Sequence, residues 1–208
     1  MRRLPLVLAA LLAAAPFTVA NAAGRKPPKP KPTCRLVTDS QGDARGVAGA
    51  VTNAQGDTGL DVVSADLATN ATQATVVFRL PGLNNTDPLS PAGRWFALAY
   101  TAAGKRTTVP VLLTPRGNTW GSGAAADAGT VDTATAEIRV TVPLAEAGLA
   151  GLKAGTVVSG FAVTTKRWVG AASTGQVVGD AVDTATSTAT YKVGWPSCVR
   201  VGGDVAGA

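Results

Sequence analysis

Four aspartates, Asp39, Asp43, Asp57 and Asp61, are the residues of this chain whose type and spacing best suit a binding site. They come in two pairs. Asp39 and Asp43 bracket a turn made of Ser40, Gln41 and Gly42, and Asp57 and Asp61 lead into the apolar run that starts at Val62. Calcium takes six to eight oxygen ligands, which carboxylates set among exposed loop carbonyls can supply, so two such pieces of chain meeting in space would form a structural calcium site. The same residues also have a plainer use, in which Asp39 and Asp43 cap turns and Asp61 pairs with an arginine such as Arg45. Asp61 is the sharpest case. Counting back in twos through Leu67, Ala65 and Val63 lands on it, so a carboxylate starts an apolar strand face. Burying it demands a hydrogen-bond network, a cation or an exposed strand end.

Catalysis has little material. The chain contains no histidine, which removes the usual general base and the commonest metal ligand. Its two glutamates are Glu137, at the outward parity of a strand, and Glu146, in a surface turn. Ser122 sits between two glycines but lacks both the pentapeptide of a nucleophile elbow and a histidine, so it reads as a flexible turn. The expectation is a protein that is not an enzyme. Sugar rings stack on aromatic planes, and Trp95, Trp120 and Trp168 are candidates for such a platform; the alternative is that each is partly buried filler. Trp195, close to Cys198, is expected to pack on a disulfide. Cys34 and Cys198 should pair in an exported chain. That bond would fasten the first strand to the last and remove roughly 5 kcal/mol of unfolded-chain entropy in the loop-closure picture. Two thiols alone lack the further ligands a zinc site needs.

The elements that must position these residues read as strands. From Ala74, alternation puts Ala74, Val76, Phe78 and Leu80 on one face and Thr75, Val77 and Arg79 on the other, and residues 57–80 form two strands folded back on each other. A second hairpin follows: Phe96, Leu98 and Tyr100 share the inner parity, residues 102–105 turn, and Pro110 marks an edge or a bulge because proline cannot donate to a ladder. Strand character is weak around Trp120 and clear at Ile138, Val140 and Val142. Pro143 opens and Gly148 closes at most one short helical turn. Residues 156–168 and 183–195 supply the last two strands. The pattern predicts an all-β antiparallel β-sandwich, jelly-roll or immunoglobulin-like, of about eight to ten strands, with a closed barrel as the alternative.

The ends give an address. Arg2 and Arg3, the apolar residues 4–15 and Ala20, Asn21 and Ala22 make residues 1–22 a signal peptide; the apolar run is shorter than the ~20 residues a span needs, so no stable membrane span is expected after cleavage. Residues 23–33 read as a basic Pro-rich linker, 34–200 as the domain and 201–208 as a flexible tail. The net charge of +6 comes from the front: Arg2, Arg3, Arg25, Lys26, Lys29 and Lys31 are six of the nineteen cations, which leaves the body as many cations as the chain has acids. A neutral body offers no basic face for phosphates, so nucleic acid is not an expected partner. The linker itself suits screened attraction to anionic wall polymers.

Taken together, residues 37–46, residues 60–83, the run RWFALAY from Arg94, and the run EIRVTVPLAEAGL from Glu137 resemble a group of bacterial secreted sandwiches, the DOMON-like domains related to family 9 carbohydrate-binding modules and to the C-terminal module of glucodextranase. The resemblance covers residues 34–198 and rests on strand patterns. It implies a jelly-roll-like sandwich that binds ligands, in a group whose members take sugars, haem or other ligands and several of which carry structural calcium. Haem is not expected, because that branch uses His and Met ligands and this chain has no His and only Met1. The sequence therefore points to a secreted, disulfide-closed, non-catalytic surface module for a polysaccharide or cell-wall polymer, with a structural or protein-interaction domain as the second possibility. Any sugar surface should lie away from the aspartates.

Overall fold

The computed structural model describes residues 29–44, 59–83, 93–115, 117–169, 176–177 and 182–201. The expected signal peptide, most of the linker and tail, Arg45 and Asp57 lie outside the described residues, as do the side chains of Trp168, Val169, Gln176 and Val177. Within them run twelve strands: β1 Val37–Thr38, β2 Ser64–Thr69, β3 Gln73–Arg79, β4 Gly93–Ala102, β5 Lys105–Thr114, β6 Gly117–Trp120, β7 Ala128–Asp132, β8 Glu137–Pro143, β9 Val157–Val169, β10 Gln176–Val177, β11 Asp183–Ser187 and β12 Tyr191–Lys192. They make two antiparallel sheets packed face to face. One has the order β1-β2-β3-β8-β7; the other runs β10-β9-β4-β5-β6, with β11 and β12 also paired to β9.

Alternation builds the core as the sequence implied. Val76 and Phe78 of β3, Phe96, Leu98 and Tyr100 of β4, and Ile138, Val140 and Val142 of β8 are fully buried. Phe78 meets Phe96 across the sandwich at 5.8 Å between ring centroids. Each side chain of this kind, taken wholly out of water, contributes about 1.5–3 kcal/mol of transfer free energy. The β2–β3 turn is fixed by Asn70, whose Oδ1 accepts the N–H groups of Thr72 and Gln73, both at 2.8 Å. Between β4 and β5, Ala103 and Gly104 both take positive φ (48° and 77°), the two-residue turn whose twist suits a hairpin. Pro110 pairs with Ala97, and β6 begins its pairing one residue later, at Val111. The proline thus sits where the outer side of β5 has no strand among those described, the place where a missing N–H does no harm.

Three features depart from the expected pattern. First, β2 is buried on both faces, not one. Its outer side and that of β3 are covered by Val199 and Val201, which pack on Ala68 and Val77, and by an ion ladder in which Arg79 joins Asp66 (2.6 Å) and Glu137 (3.2 Å) and Arg139 joins Glu137 (2.7 Å). Second, the strand that gathers most partners is β9, which pairs with β4, β10, β11 and β12. Its Gly160 has φ +63°, and the β4–β9 register slips between Ala99 and Thr101, so an extra residue is absorbed there as a bulge. Third, residues 183–195 are not one strand. β11 ends at Ser187 opposite Phe161 and β12 resumes at Tyr191 opposite Val158, so the pairing breaks where β9 bulges. The stretch 143–148 is a single turn, closed by the Ala147 N–H bonding the Pro143 carbonyl at 3.1 Å, with Gly148 at φ +64°.

The ends are tied together. Cys34 and Cys198 are disulfide-bonded across a sequence separation of 164, with their Cα atoms 5.1 Å apart. Thr33 and Ser197 form a parallel bridge beside them. Deeper in, the Tyr191 hydroxyl accepts the Thr69 N–H (3.0 Å), lies 2.9 Å from the Thr69 hydroxyl and donates to the Trp195 carbonyl (3.1 Å), so one side chain links the tip of the first sheet to the closing segment of the second. Replacing Tyr191 by Phe leaves a buried N–H without its acceptor. We expect Y191F to lose about 2 kcal/mol of unfolding free energy in urea titrations at unchanged m-value.

Candidate functional site

The site lies where the start of β2 meets the start of β11. After β1, the Asp39 N–H bonds the Val63 carbonyl at 3.0 Å, which pins the acidic turn 39–43 against the residues that lead into β2. Gly42, at φ +89°, aims its N–H at Asp61 Oδ2, 2.6 Å away. The third strand to reach this corner is β11, held by the register Asp183 to Thr165 and by the Val182 N–H bonding the Thr165 carbonyl at 2.9 Å. Asp183 Oδ2 accepts the Val62 N–H at 2.7 Å, and the Thr165 hydroxyl donates to the Leu60 carbonyl at 2.7 Å. Backbone groups at the sandwich edge are thus satisfied by carboxylates drawn from residues far apart in sequence.

One carboxylate oxygen of each of Asp39, Asp43 and Asp183 lies within 4.8 Å of the others. That span is about twice a calcium–oxygen distance of 2.3–2.6 Å, the separation of ligands on opposite sides of one ion. Asp61 stands next to this group and is 1 % exposed, with its Oδ1 buried and without a hydrogen-bond partner; Asp39 Oδ2 is in the same condition. None of the salt bridges among the described residues includes Asp39, Asp43, Asp61 or Asp183. An unpartnered buried carboxylate oxygen carries a desolvation penalty, and a divalent cation removes it.

The electrostatics follow. Burial pushes the Asp183 carboxyl up to about 6, opposed by the Val62 N–H and reinforced by Asp39 and Asp43. The Asp61 carboxyl is raised for the same first reason, burial, with Gly42 opposing and Asp43 and Asp39 adding repulsion. Asp61 and Asp183 therefore hold their protons more tightly than a solvated carboxyl does.

Of the four aspartates singled out in the sequence, the structure brings Asp39, Asp43 and Asp61 together. Asp183 completes the set and was missed. It sits 122 residues beyond Asp61, among threonines and alanines that give no local sign of a site, and only the pairing of β11 with β9 delivers it. One signal was present: Asp183 follows Val182 at the head of an alternating run, as Asp61 does in β2's approach.

Trp95 and Trp120 stand on opposite faces of their sheet. Trp95 faces outward from β4, half-buried between Leu112 and Lys166 in the register. Trp120 pairs with the core residue Val111 and packs against the core from the opposite face, over Gly129, where a Cβ would collide with its ring. Position 168 pairs with Gly93. Trp195 is not covered as expected: it is 37 % exposed, with Lys192 Nζ 4.2 Å from its ring centroid.

A second pair of acids meets outside this corner. Glu146 accepts the Ser122 N–H, Asp127 accepts the Ala124 N–H at 2.8 Å, and the two carboxyls interact at close quarters. Burial first, then this contact, raises the Glu146 carboxyl. Gly121, at φ +54°, has no room for a side chain beside them. Ser122 thus ties the Gly-rich loop to the 143–148 turn through its backbone N–H. Glu137 is held between two arginines.

Comparison with models of known protein families finds no match to this chain, and a search of curated proteins finds none either. The fold and its acidic corner are what define the molecule.

Two outcomes are expected. In chelator-treated protein, Asp183 binds its proton more tightly folded than unfolded, so the stability it contributes is full below pH 3.8 and is lost as pH rises through about 6. D183N keeps an acceptor for Val62 and removes the charge; melting curves from pH 4 to 8 should show it more stable than wild type by roughly 1–3 kcal/mol at pH 7 and equal to it near pH 4. E146Q relieves the carboxyl contact in the same sense. Because this pair is half-exposed, the expected gain at pH 7 is smaller, about 0.5 kcal/mol by urea denaturation, with no gain at pH 4.

Proposed function

We propose that this chain is an exported, non-catalytic binding module of the cell envelope, closed covalently by the Cys34–Cys198 disulfide and completed by a calcium ion, with a carbohydrate polymer as its partner. The observation that carries the reading is the buried, unpartnered Oδ1 of Asp61 beside the converging carboxylates of Asp39, Asp43 and Asp183. Carboxylate oxygens drawn from separate pieces of chain favour a hard, oxygen-seeking cation, and calcium tolerates such irregular sets best. Its role is structural: it would join the turn after β1, the approach to β2 and the head of β11, and so lock the edge where the two sheets meet.

Export is supported by the disulfide, by the signal-like residues 1–22, and by the finding that no helix among the described residues is long and apolar enough to cross a membrane. The non-catalytic reading is supported by the chemistry of the acids. Glu137 is neutralised by arginines and Glu146 and Asp127 are spent on each other, while no histidine stands by to act as a base. Carbohydrate rests on the resemblance to DOMON-like and family 9 binding modules and on the exposed aromatic surface of Trp195.

A protein partner is the second reading, favoured by the outward face of β4 and β5, where Trp95, Pro110 and Leu112 are part-exposed apolar side chains. Calorimetric melting decides the ion. With calcium at about a hundred times its dissociation constant, the midpoint should rise by the equivalent of about 2.7 kcal/mol over chelator-treated protein. D61N and D43N should each lose most of that rise. Identical midpoints with calcium and with chelator would sink the site. W95A separates the partners: it should abolish protein capture if that face is the docking site and leave glycan binding intact.

A further inference from the structure

The two large apolar side chains that stand exposed among the described residues, Val157 (49 %) and Trp195 (37 %), lie together. Val157 pairs with Lys192 across β9 and β12, and Lys192 lays its ammonium 4.2 Å from the Trp195 ring centroid. The Gly155 N–H bonds the Val193 carbonyl at 2.8 Å, which brings exposed Lys153 and the loop around it alongside the same segment. The chain's N-terminal arm arrives here too. The Thr33 N–H bonds the Pro196 carbonyl at 3.0 Å and Thr33 bridges Ser197, so Lys31, two residues upstream, has its Cα within about 7 Å of that anchor. Lys29 and Lys31 are both exposed.

The charge at this place is of one sign. Residues 29–35, 149–160 and 188–201, the three segments that meet here, contain six cations and no acid. The acids of the adjoining 143–148 turn and Gly-rich loop, Glu146 and Asp127, are engaged by the backbone N–H groups of Ser122 and Ala124. Meanwhile the carboxylate corner sits towards the far end of β9, eight residues and so about 26 Å away, since Asp183 pairs with Thr165 and Lys192 with Val157. A body that is neutral in sum is polarised in space.

We propose that this end of the sandwich is the binding surface, and that its ligand is an acidic polysaccharide, a flexible glycan chain bearing carboxylate groups. This rests on the reading of the chain as an envelope module with a carbohydrate partner, and names the surface and the ligand class. Lys153, Lys192, Lys31 and Lys29 neutralise the repeating charge, with the Pro-rich arm lying along the chain as an extended strip. Trp195 and Val157 offer apolar surface to a sugar face, and the nearby ammonium of Lys192 orients a carboxylate beside the ring. Two apolar side chains are too little to hold a membrane surface by insertion. A single exposed indole is likewise no stacking platform for successive bases.

Affinity electrophoresis of the full chain through gels containing polygalacturonate tests it, with neutral dextran as the reference polymer and 0.05–0.5 M salt as the second axis. Retardation by polygalacturonate alone, weakening at least tenfold over that salt range, is the expected result. K153Q/K192Q should weaken binding about tenfold, K29Q/K31Q about threefold, and W195A about fivefold, while K166Q, a cation towards the far end of β9, should leave it unchanged. Since Trp195 is exposed, W195F guards against a folding defect: it should keep the wild-type melting midpoint and most of the binding. Equal retardation by dextran, variants that bind as wild type does, or stronger partition onto anionic phospholipid vesicles or single-stranded DNA than onto polygalacturonate would each overturn the proposal. The two readings fail separately. Binding of neutral glycans alone would remove this surface and keep the envelope module, whereas a chain that binds no glycan of either kind loses both.

Discussion

Two backbone N–H groups at the edge of the sandwich, those of Gly42 and Val62, are satisfied by carboxylates, and much of the architecture depends on that arrangement. A neutral side chain would serve as acceptor without repulsion. Carboxylates hold the same N–H groups more tightly through charge-assisted bonds, but they bring Asp39, Asp43, Asp61 and Asp183 into one small volume. The strain is electrostatic, not steric. Burial, with repulsion from Asp39 and Asp43, raises the carboxyls of Asp61 and Asp183, so both keep their protons to higher pH than a solvated carboxyl. The register of β11 on β9 and the position of the turn after β1 both follow from where those side chains must converge.

The opposite end obeys a different rule. There the hydroxyl of Tyr191 and the backbone of residues 193–198 do the joining, the ion pairs are absent from the meeting segments, and cations face water. Acidic groups have been placed where they can be buried and bridged, and basic groups where they stay solvated. Total charge conceals this. A count of cations against acids argues correctly that the domain has no overall basic field, yet says nothing about a separation of charge along the strands.

Much of the core was legible because period-two alternation is a local property. Val76, Phe78, Phe96, Leu98, Ile138 and Val140 show it within single strands, and their burial follows. Pro110 and the Ala103–Gly104 turn were legible for the same reason, since one backbone constraint at one residue settles each. Asp61 was legible as an anomaly, a charge on an apolar face. What stayed hidden depends on pairs of segments far apart in the chain. The cover given to β2 by Val199 and Val201, the role of β9 as common partner of four strands, the bulge at Gly160 that splits β11 from β12, and the arrival of Asp183 among the other carboxylates all arise from long-range pairing. Trp120 illustrates the limit: its type suggests a ligand platform, while its register with Val111 turns it inward.

The fastening at Thr33 and Cys34 has a mechanical meaning. If the N-terminal arm is the tether, tension enters the domain at Thr33 and meets the parallel bridge to Ser197 and the covalent link to Cys198 before it reaches any long ladder. From Cys198 the chain runs on to Val199 and Val201, whose packing on Ala68 and Val77 shares the load with the first sheet. The two-residue strand β1, otherwise the weakest link beside the tether, is bypassed. A module held this way can be pulled by whatever it grips without its acidic corner feeling the force.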